Sequence, residues 1–166
     1  FGVLPPISLL TGEQIERYFL AGYTAKLAGT ERGIGAQPVA TFSSCFGAPF
    51  LPMSPKLYAN MLQQKISEHR SRVWLINTGW IGGVFGEGTR IDLPYTRAMI
   101  TAALNDKINL DNAKEDAIFK LIIPTEVPNV PTNILHQQNL WKDQAAYLKT
   151  AENLKLQFEE SLSQYN

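Results

Sequence analysis

Five of the twelve glycines lie between residues 79 and 88, in GWIGGVFGEG, and what flanks them constrains the architecture more than any other feature. Before them runs RVWLIN (72–77), a β-branched and aromatic stretch of strand character. After them Pro94 opens a helical segment, YTRAMITAALND, with Ala98, Met99, Ala102 and Ala103 on one side. Strand, glycine turn and helix in that order belong to layered α/β or α+β folds, because each apolar face needs an element of the other kind to cover it.

The rest of the chain follows the same grammar. FGVLPPISLL (1–10) reads as an extended, buried lead-in. Thr11 with Gln14 fits a capping box, Ile15, Tyr18 and Phe19 repeat at helical spacing, and Gly22 is placed to end that helix. Periodicity leaves Tyr23–Ala28 open between helix and strand, and GTERGIGAQP (29–38) is a loop by its glycines and proline. Thr41–Phe50, small, aromatic and hydroxylated, is expected to thread an interior or a cleft. Ser54-Pro55 starts a helix with Leu57, Tyr58, Met61, Leu62 and Ile66 on its apolar face. Phe119–Ile123 reads as a short strand and residues 124–139 as a long surface connection. A last helix carries Trp141, Ala145, Leu148, Leu154, Phe158 and Leu162 on one stripe. Helices are therefore expected at about 12–21, 54–69, 95–105 and 141–164, in a single partial domain spanning 1–166.

Composition narrows the partners. Fifteen basic and fifteen acidic residues give zero formal net charge, which argues against nucleic acid, where affinity rests on clustered cations. No run reaches the roughly 18 apolar residues of a membrane span. The apolar N-terminus lacks a basic flank and is broken by Pro5-Pro6, so it is not read as a signal peptide. A chain opening on Phe1 rather than Met reads as an excised segment, truncated upstream. The single cysteine, Cys45, excludes an internal disulfide and fits a reducing compartment.

The candidate chemistry is sparse. Gly83–Arg90 nearly matches the phosphate loop G-x-x-x-x-G-K-[ST], but Thr89 stands where the lysine belongs and Arg90 where a magnesium-holding hydroxyl belongs. The helix also begins too late for its N-terminal amides to complete an anion cradle, so a true phosphate loop is rejected. What remains is either a surface hairpin or a loop that lets backbone approach a ligand. Arg90 and Thr96 are open in the same way: a guanidinium can stack on a purine while a hydroxyl reads its edge, or both are an ordinary solvated arginine and a capping threonine. His69, His136 and the Glu31-Arg32 pair read as surface groups, Cys45 as an inert packed thiol, and Tyr18, Phe19, Trp74 and Trp141 as core. No spacing of histidines or cysteines suits a zinc site.

Six strings change the balance: FGVLPPIS (1–8), GYTAKLAGTERG (22–33), TFSSCFGAPFLPM (41–53), NTGW (77–80), GTRIDLPYTRAMI (88–100) and IPTEVPNVPTNIL (123–135). In this order they closely resemble the C-terminal portion of ATP-dependent phosphoenolpyruvate carboxykinases, over essentially the whole chain. The resemblance implies the mononucleotide-binding domain of that fold and an enzyme that converts oxaloacetate and ATP to phosphoenolpyruvate, carbon dioxide and ADP. It implies a cytoplasmic, gluconeogenic lyase using Mg2+ and Mn2+, whose phosphate loop, metal ligands and oxaloacetate-binding arginines lie upstream of the matched region. Catalytic and metal-binding residues are thus expected to be absent from this chain. The family pattern G-K/T-R-I-x-x-x-x-T falls on Arg90, Ile91 and Thr96, which the resemblance makes the adenine-binding residues. Thr89 departs from the lysine common at that place. The rival expectation is a non-catalytic nucleotide-binding or scaffold remnant of the fold. A further rival is an unrelated phosphotransferase with a variant phosphate loop.

Overall fold

A computed structural model describes residues 1–26 and 39–165. The loop expected at 29–38, with Glu31 and Arg32, lies outside the described residues. In chain order the elements are β1 (Ile7–Leu10), α1 (Glu13–Ala21), β2 (Tyr23–Lys26), β3 (Val39–Phe42), α2 (Pro55–His69), β4 (Val73–Ile76), β5 (Trp80–Ile81), β6 (Thr89–Arg90), α3 (Leu93–Leu104), β7 (Lys114–Glu115), β8 (Ile122–Ile123) and α4 (Gln144–Ser163). All four expected helices are present, with small sheets between them, as an α/β assignment requires. The described residues group into two compact units: Phe1–Leu10 with Trp74–Lys155, and Thr11–Val73 with the stretch from Leu156 onward.

The first unit is built on a four-stranded sheet in the order β4-β1-β8-β7. β1 is an interior strand with Leu9 opposite Ile122 in antiparallel register, so the apolar lead-in is covered by strands of this same chain. Asn77 ties it down further, donating through its backbone N–H to the Pro6 carbonyl (2.9 Å) and through Nδ2 to that of Leu4 (2.9 Å). On this sheet α3 lays Met99 and Ala102 into a cluster with Ile7, Ile91, Ile108, Ile123, Val127, Val130, Ile134 and Leu135. Ala98 and Ala103 pack around it, as their spacing predicts. Each fully buried aliphatic side chain here contributes about 1.5–3 kcal/mol.

Four of those cluster members overturn an expectation. Residues 124–139 are not a surface connection: Val127, Val130, Ile134 and Leu135 are buried, and two short 3-10 turns (Thr132–Ile134 and Gln137–Leu140) satisfy the backbone on the way. Proline and asparagine spacing conceals this, because turns that fold back on a core bury side chains without any regular period. The neighbouring strand is also shorter than expected, only Ile122–Ile123. The stripe on α4 is corrected as well. Tyr147, Ala151 and Leu154 are buried, whereas Ala145 and Leu148 face solvent. Trp141 is buried but precedes the helix, donating its indole N–H to the Gly2 carbonyl at 2.7 Å.

In the second unit α1 ends at Gly22, in left-handed geometry (φ 52°), with its N–H on the Tyr18 carbonyl at 3.1 Å. A side chain here would strike the Ser43 carbonyl, so glycine is required twice over. At the other end Gly12, not Thr11, is the N-cap; Gln14 still reaches back to the Thr11 N–H at 3.2 Å, which is half of the expected box. Residues 23–26 resolve to strand, pairing antiparallel with 39–42 from Tyr23 opposite Phe42 to Lys26 opposite Val39. Tyr18, Tyr23, Phe42 and Phe158 form an aromatic cluster with centroids 5.2–5.4 Å apart.

The segment 41–50 does not thread an interior. It makes two 3-10 turns, with Cys45 and Phe46 at positive φ, and leaves Phe50 86% exposed. On α2 only Ala59 is buried; Leu57 and Met61, on the expected apolar face, are exposed. Tyr58, Leu62 and Ile66 of the same face are half-buried, where α1 and the turn at 44–46 pack on the helix and Gln63 donates to Glu16 at 3.1 Å, so only one side of the expected face is covered.

Candidate functional site

The glycine segment folds as a tight hairpin. β5 and β6 pair antiparallel, with Trp80 opposite Arg90 and Ile81 opposite Thr89. The turn closes on Val84, whose carbonyl accepts from the N–H groups of Glu87 (3.0 Å) and Gly88 (2.8 Å). Gly83 and Gly88 pack backbone on backbone; a Cβ on Gly83 would lie 2.8 Å from the Gly88 nitrogen. Two glycines are needed for that approach, which is a structural reason for their abundance here. The hairpin also explains why the phosphate-loop spacing fails. Its chain turns back as a strand, and α3 begins only at Leu93, so no run of amides converges on an anion.

From Arg90 the chain turns directly into α3. The Ile91 N–H donates to the Gly79 carbonyl at 2.9 Å, and Asp92 caps the helix, its carbonyl accepting from the N–H groups of Tyr95 (3.1 Å) and Thr96 (3.2 Å). Thr96 is therefore inside the first turn and is not a cap. The residue is 8% exposed, and its hydroxyl has no hydrogen-bond partner among the described residues. Ile91 is 6% exposed and belongs to the core cluster, so it anchors the corner and offers a ligand no more than an edge. Arg90 is exposed and in no ion pair among the described residues. Its guanidinium carbon lies over the Trp80 ring, 5.7 Å from the centroid. Phe85, at the hairpin tip, meets the same indole edge-on at 5.4 Å.

Among the described residues, the corner thus holds a planar cation with open donors, an unpartnered hydroxyl and an aromatic support. That set can stack on a flat ring and hydrogen-bond its edge. Arg90, Ile91 and Thr96 share one strand–turn–helix corner, and Trp80 and Phe85 join them unannounced by spacing. Their signal lies in register: residues directly opposite across a hairpin share a face.

The same unit holds a second concavity of about 270 Å³, lined by Lys114, Asp116, His136, Gln137 and Tyr147 among others. His136 is not a plain surface residue. Burial, reinforced by the Lys114 charge and opposed by Asp116, holds its imidazole below the usual histidine range. Burial, with Asp116 beside it, pushes the Tyr147 hydroxyl up to about 12. Asp116 is occupied structurally, its Oδ1 accepting from the backbone N–H groups of Ile118 (3.0 Å) and Phe119 (2.6 Å). In the other unit Cys45 is half-buried, its Sγ 3.7 Å from the Pro55 carbonyl, and burial raises its thiol, the opposite of an activated nucleophile. Among the described residues no three His, Cys, Asp or Glu side chains are placed to hold a metal ion. No helix of the described residues is long and apolar enough to cross a membrane.

Comparison with known proteins decides the kinship. The family model described as phosphoenolpyruvate carboxykinase matches residues 1–133. The chain belongs to the phosphoenolpyruvate carboxykinase family. It is 54% identical over 165 residues to the phosphoenolpyruvate carboxykinase (ATP) of Caldanaerobacter subterraneus subsp. tengcongensis, covering 99% of this chain and 32% of that relative. It is 56% identical over 165 residues to the enzyme of the same name from Shouchella clausii, covering 99% and 31%. For the one from Geobacillus kaustophilus the figure is 55% over 158 residues, covering 95% and 30%. The chain therefore spans about a third of the length of the curated relatives it matches.

Proposed function

We propose that this chain supplies the nucleotide-base side of an ATP-dependent phosphoenolpyruvate carboxykinase, forming part of its mononucleotide-binding domain. The whole enzyme converts oxaloacetate and ATP to phosphoenolpyruvate, carbon dioxide and ADP, as a cytoplasmic step of gluconeogenesis. The observation that carries this reading is the corner at Arg90, where an exposed guanidinium with no ion pair among the described residues sits on a strand that leads straight into the helix bearing Thr96. Arg90 lies flat against the adenine, the Thr96 hydroxyl hydrogen-bonds the nucleotide, and Ile91 fixes the floor beneath them. Excluding water from one face of the base and fixing its edge orients the phosphates toward the residues that react, a positioning role rather than a chemical one.

Mg2+ and Mn2+, when bound, neutralise charge on the phosphoryl oxygens and the enolate. The described residues offer no ligand set for them, so no step through a metal is assigned to this chain. The chain by itself is accordingly expected to bind ATP and to show no carboxykinase turnover. Titration calorimetry with ATP tests the reading: Arg90→Ala weakens binding about tenfold, by analogy with the loss of an aromatic–cation stack and its hydrogen bonds. Affinity that ignores Arg90 would overturn it.

A second reading is a non-catalytic nucleotide-binding remnant of the family. The readings separate on the coding sequence next to this segment. Phosphate-loop and metal-ligand motifs in the same frame support the enzyme, and their absence supports the remnant.

A further inference from the structure

We propose that Trp80 is the positioning residue for Arg90, holding the guanidinium flat on one side so that its other side is presented to a purine. The bound state is then a three-layer stack of indole, guanidinium and base. This rests on the base-site reading above and adds to it a residue to which the resemblance gives no role.

Three observations carry it. Trp80 and Arg90 are directly opposed across the β5–β6 pair, so backbone register brings their side chains to one face. The guanidinium carbon sits over the indole at 5.7 Å from its centroid, inside the range of a cation–π contact. Arg90 has no salt bridge and donates no side-chain hydrogen bond to a described residue, so the indole is the one described group that fixes its orientation. The indole is itself braced, since Phe85 packs against it at 5.4 Å with an interplanar angle of 81°. Gly83 and Gly88 set the close backbone approach that holds the hairpin in this shape.

The chemistry of arginine makes this arrangement useful. A guanidinium is planar, weakly hydrated and able to stack on both faces, which an ammonium is not. With one face on Trp80, it loses less rotamer freedom when a base covers the other. A purine covers more of a guanidinium than a pyrimidine does, so the stack favours ATP over CTP through ring area.

The test compares the parent chain with Trp80→Leu, Trp80→Phe, Arg90→Ala and the double variant Arg90→Ala/Trp80→Leu, titrated with ATP and with CTP. Circular dichroism first establishes that each variant is folded. Trp80→Leu is expected to weaken ATP about five- to tenfold, with Trp80→Phe restoring affinity to within about twofold of the parent. In the Arg90→Ala background the Trp80→Leu change is expected to add nothing, because its effect runs through Arg90. The preference for ATP over CTP is expected to shrink in Trp80→Leu.

Parent-like affinity in Trp80→Leu while Arg90→Ala is weakened overturns the role of Trp80 and leaves the base site standing. An equal Trp80→Leu penalty with and without Arg90 also overturns it, as does a Trp80→Phe variant no better than Leu. An Arg90→Ala chain that binds as the parent does, or a folded parent that binds no ATP, removes the base site and this inference with it. One reading needs no nucleotide: the Arg90 side-chain protons should be shifted upfield by the Trp80 ring current in NMR spectra and return to ordinary positions in Trp80→Leu. Ordinary positions in the parent overturn the stack directly.

Discussion

Replacing Gly88 with alanine tests whether the hairpin shape, rather than glycine mobility, creates the candidate site. A Cβ on Gly88 would lie 2.5 Å from the Gly83 carbonyl oxygen and 2.7 Å from that of Ile81. Both are backbone atoms, so neither can swing away as a side-chain tip does. The chain must strain or the hairpin must open. Overpacking strain runs about 1–3 kcal/mol, and opening sacrifices two or so backbone hydrogen bonds of about 1 kcal/mol each. Either route costs about 2–3 kcal/mol. At this chain length that lowers Tm by about 5–10 °C in a calorimetric or circular-dichroism melt. The substitution also displaces Trp80 from Arg90, so nucleotide affinity falls with it. Gly47→Ala is the control: its φ is −158°, outside the left-handed region, and the nearest atom to a new Cβ is 4.0 Å away. That variant is expected to stay within about 1 kcal/mol of the parent, since it meets no backbone atom. A Gly88→Ala chain melting within about 1 °C of the parent, with unchanged ATP affinity, would refute the close-packing argument.

Other consequences follow from burial. Met99 is fully enclosed in the first unit's core, so Met99→Ala should cost about 2–5 kcal/mol in urea unfolding. Trp141→Phe keeps the ring but strands the Gly2 carbonyl, for an expected loss of about 1–3 kcal/mol by the same assay. His136 is held below its ordinary value in the folded chain, so the unfolded chain binds the proton more readily. Its contribution is fully present above the ordinary histidine value and is lost as pH falls through it towards the folded one. The urea midpoint should accordingly drop from pH 7.5 to 5.5, and His136→Asn should flatten that slope. Arg17 and Glu159 pair at 2.7 Å but are both half-exposed, so Arg17→Ala should shift stability by less than about 1 kcal/mol.

The helices were legible because each carries its own stop and start chemistry. Gly22 in left-handed geometry and Pro55 opening α2 stand where their residue types require. Arg90, Ile91 and Thr96 are candidates only through resemblance, since nothing in an exposed arginine or a threonine near a helix start distinguishes a ligand contact from solvent. Burial was the poorest inference. Val127, Val130, Ile134 and Leu135 lie in the core although their segment reads as a loop, and Leu57 and Met61 lie exposed although their helix reads as amphipathic.

The sequence by itself determined the order of the four helices, the glycine-rich turn between strand and helix, and the family, because these depend on local backbone chemistry and on residue strings. Tertiary structure alone decided that β1 lies inside its sheet, that Ile91 belongs to the core, and that Trp80 supports Arg90. Those outcomes depend on which strand pairs with which and in what register. Register places residues ten positions apart face to face, and no periodicity along the chain reports it.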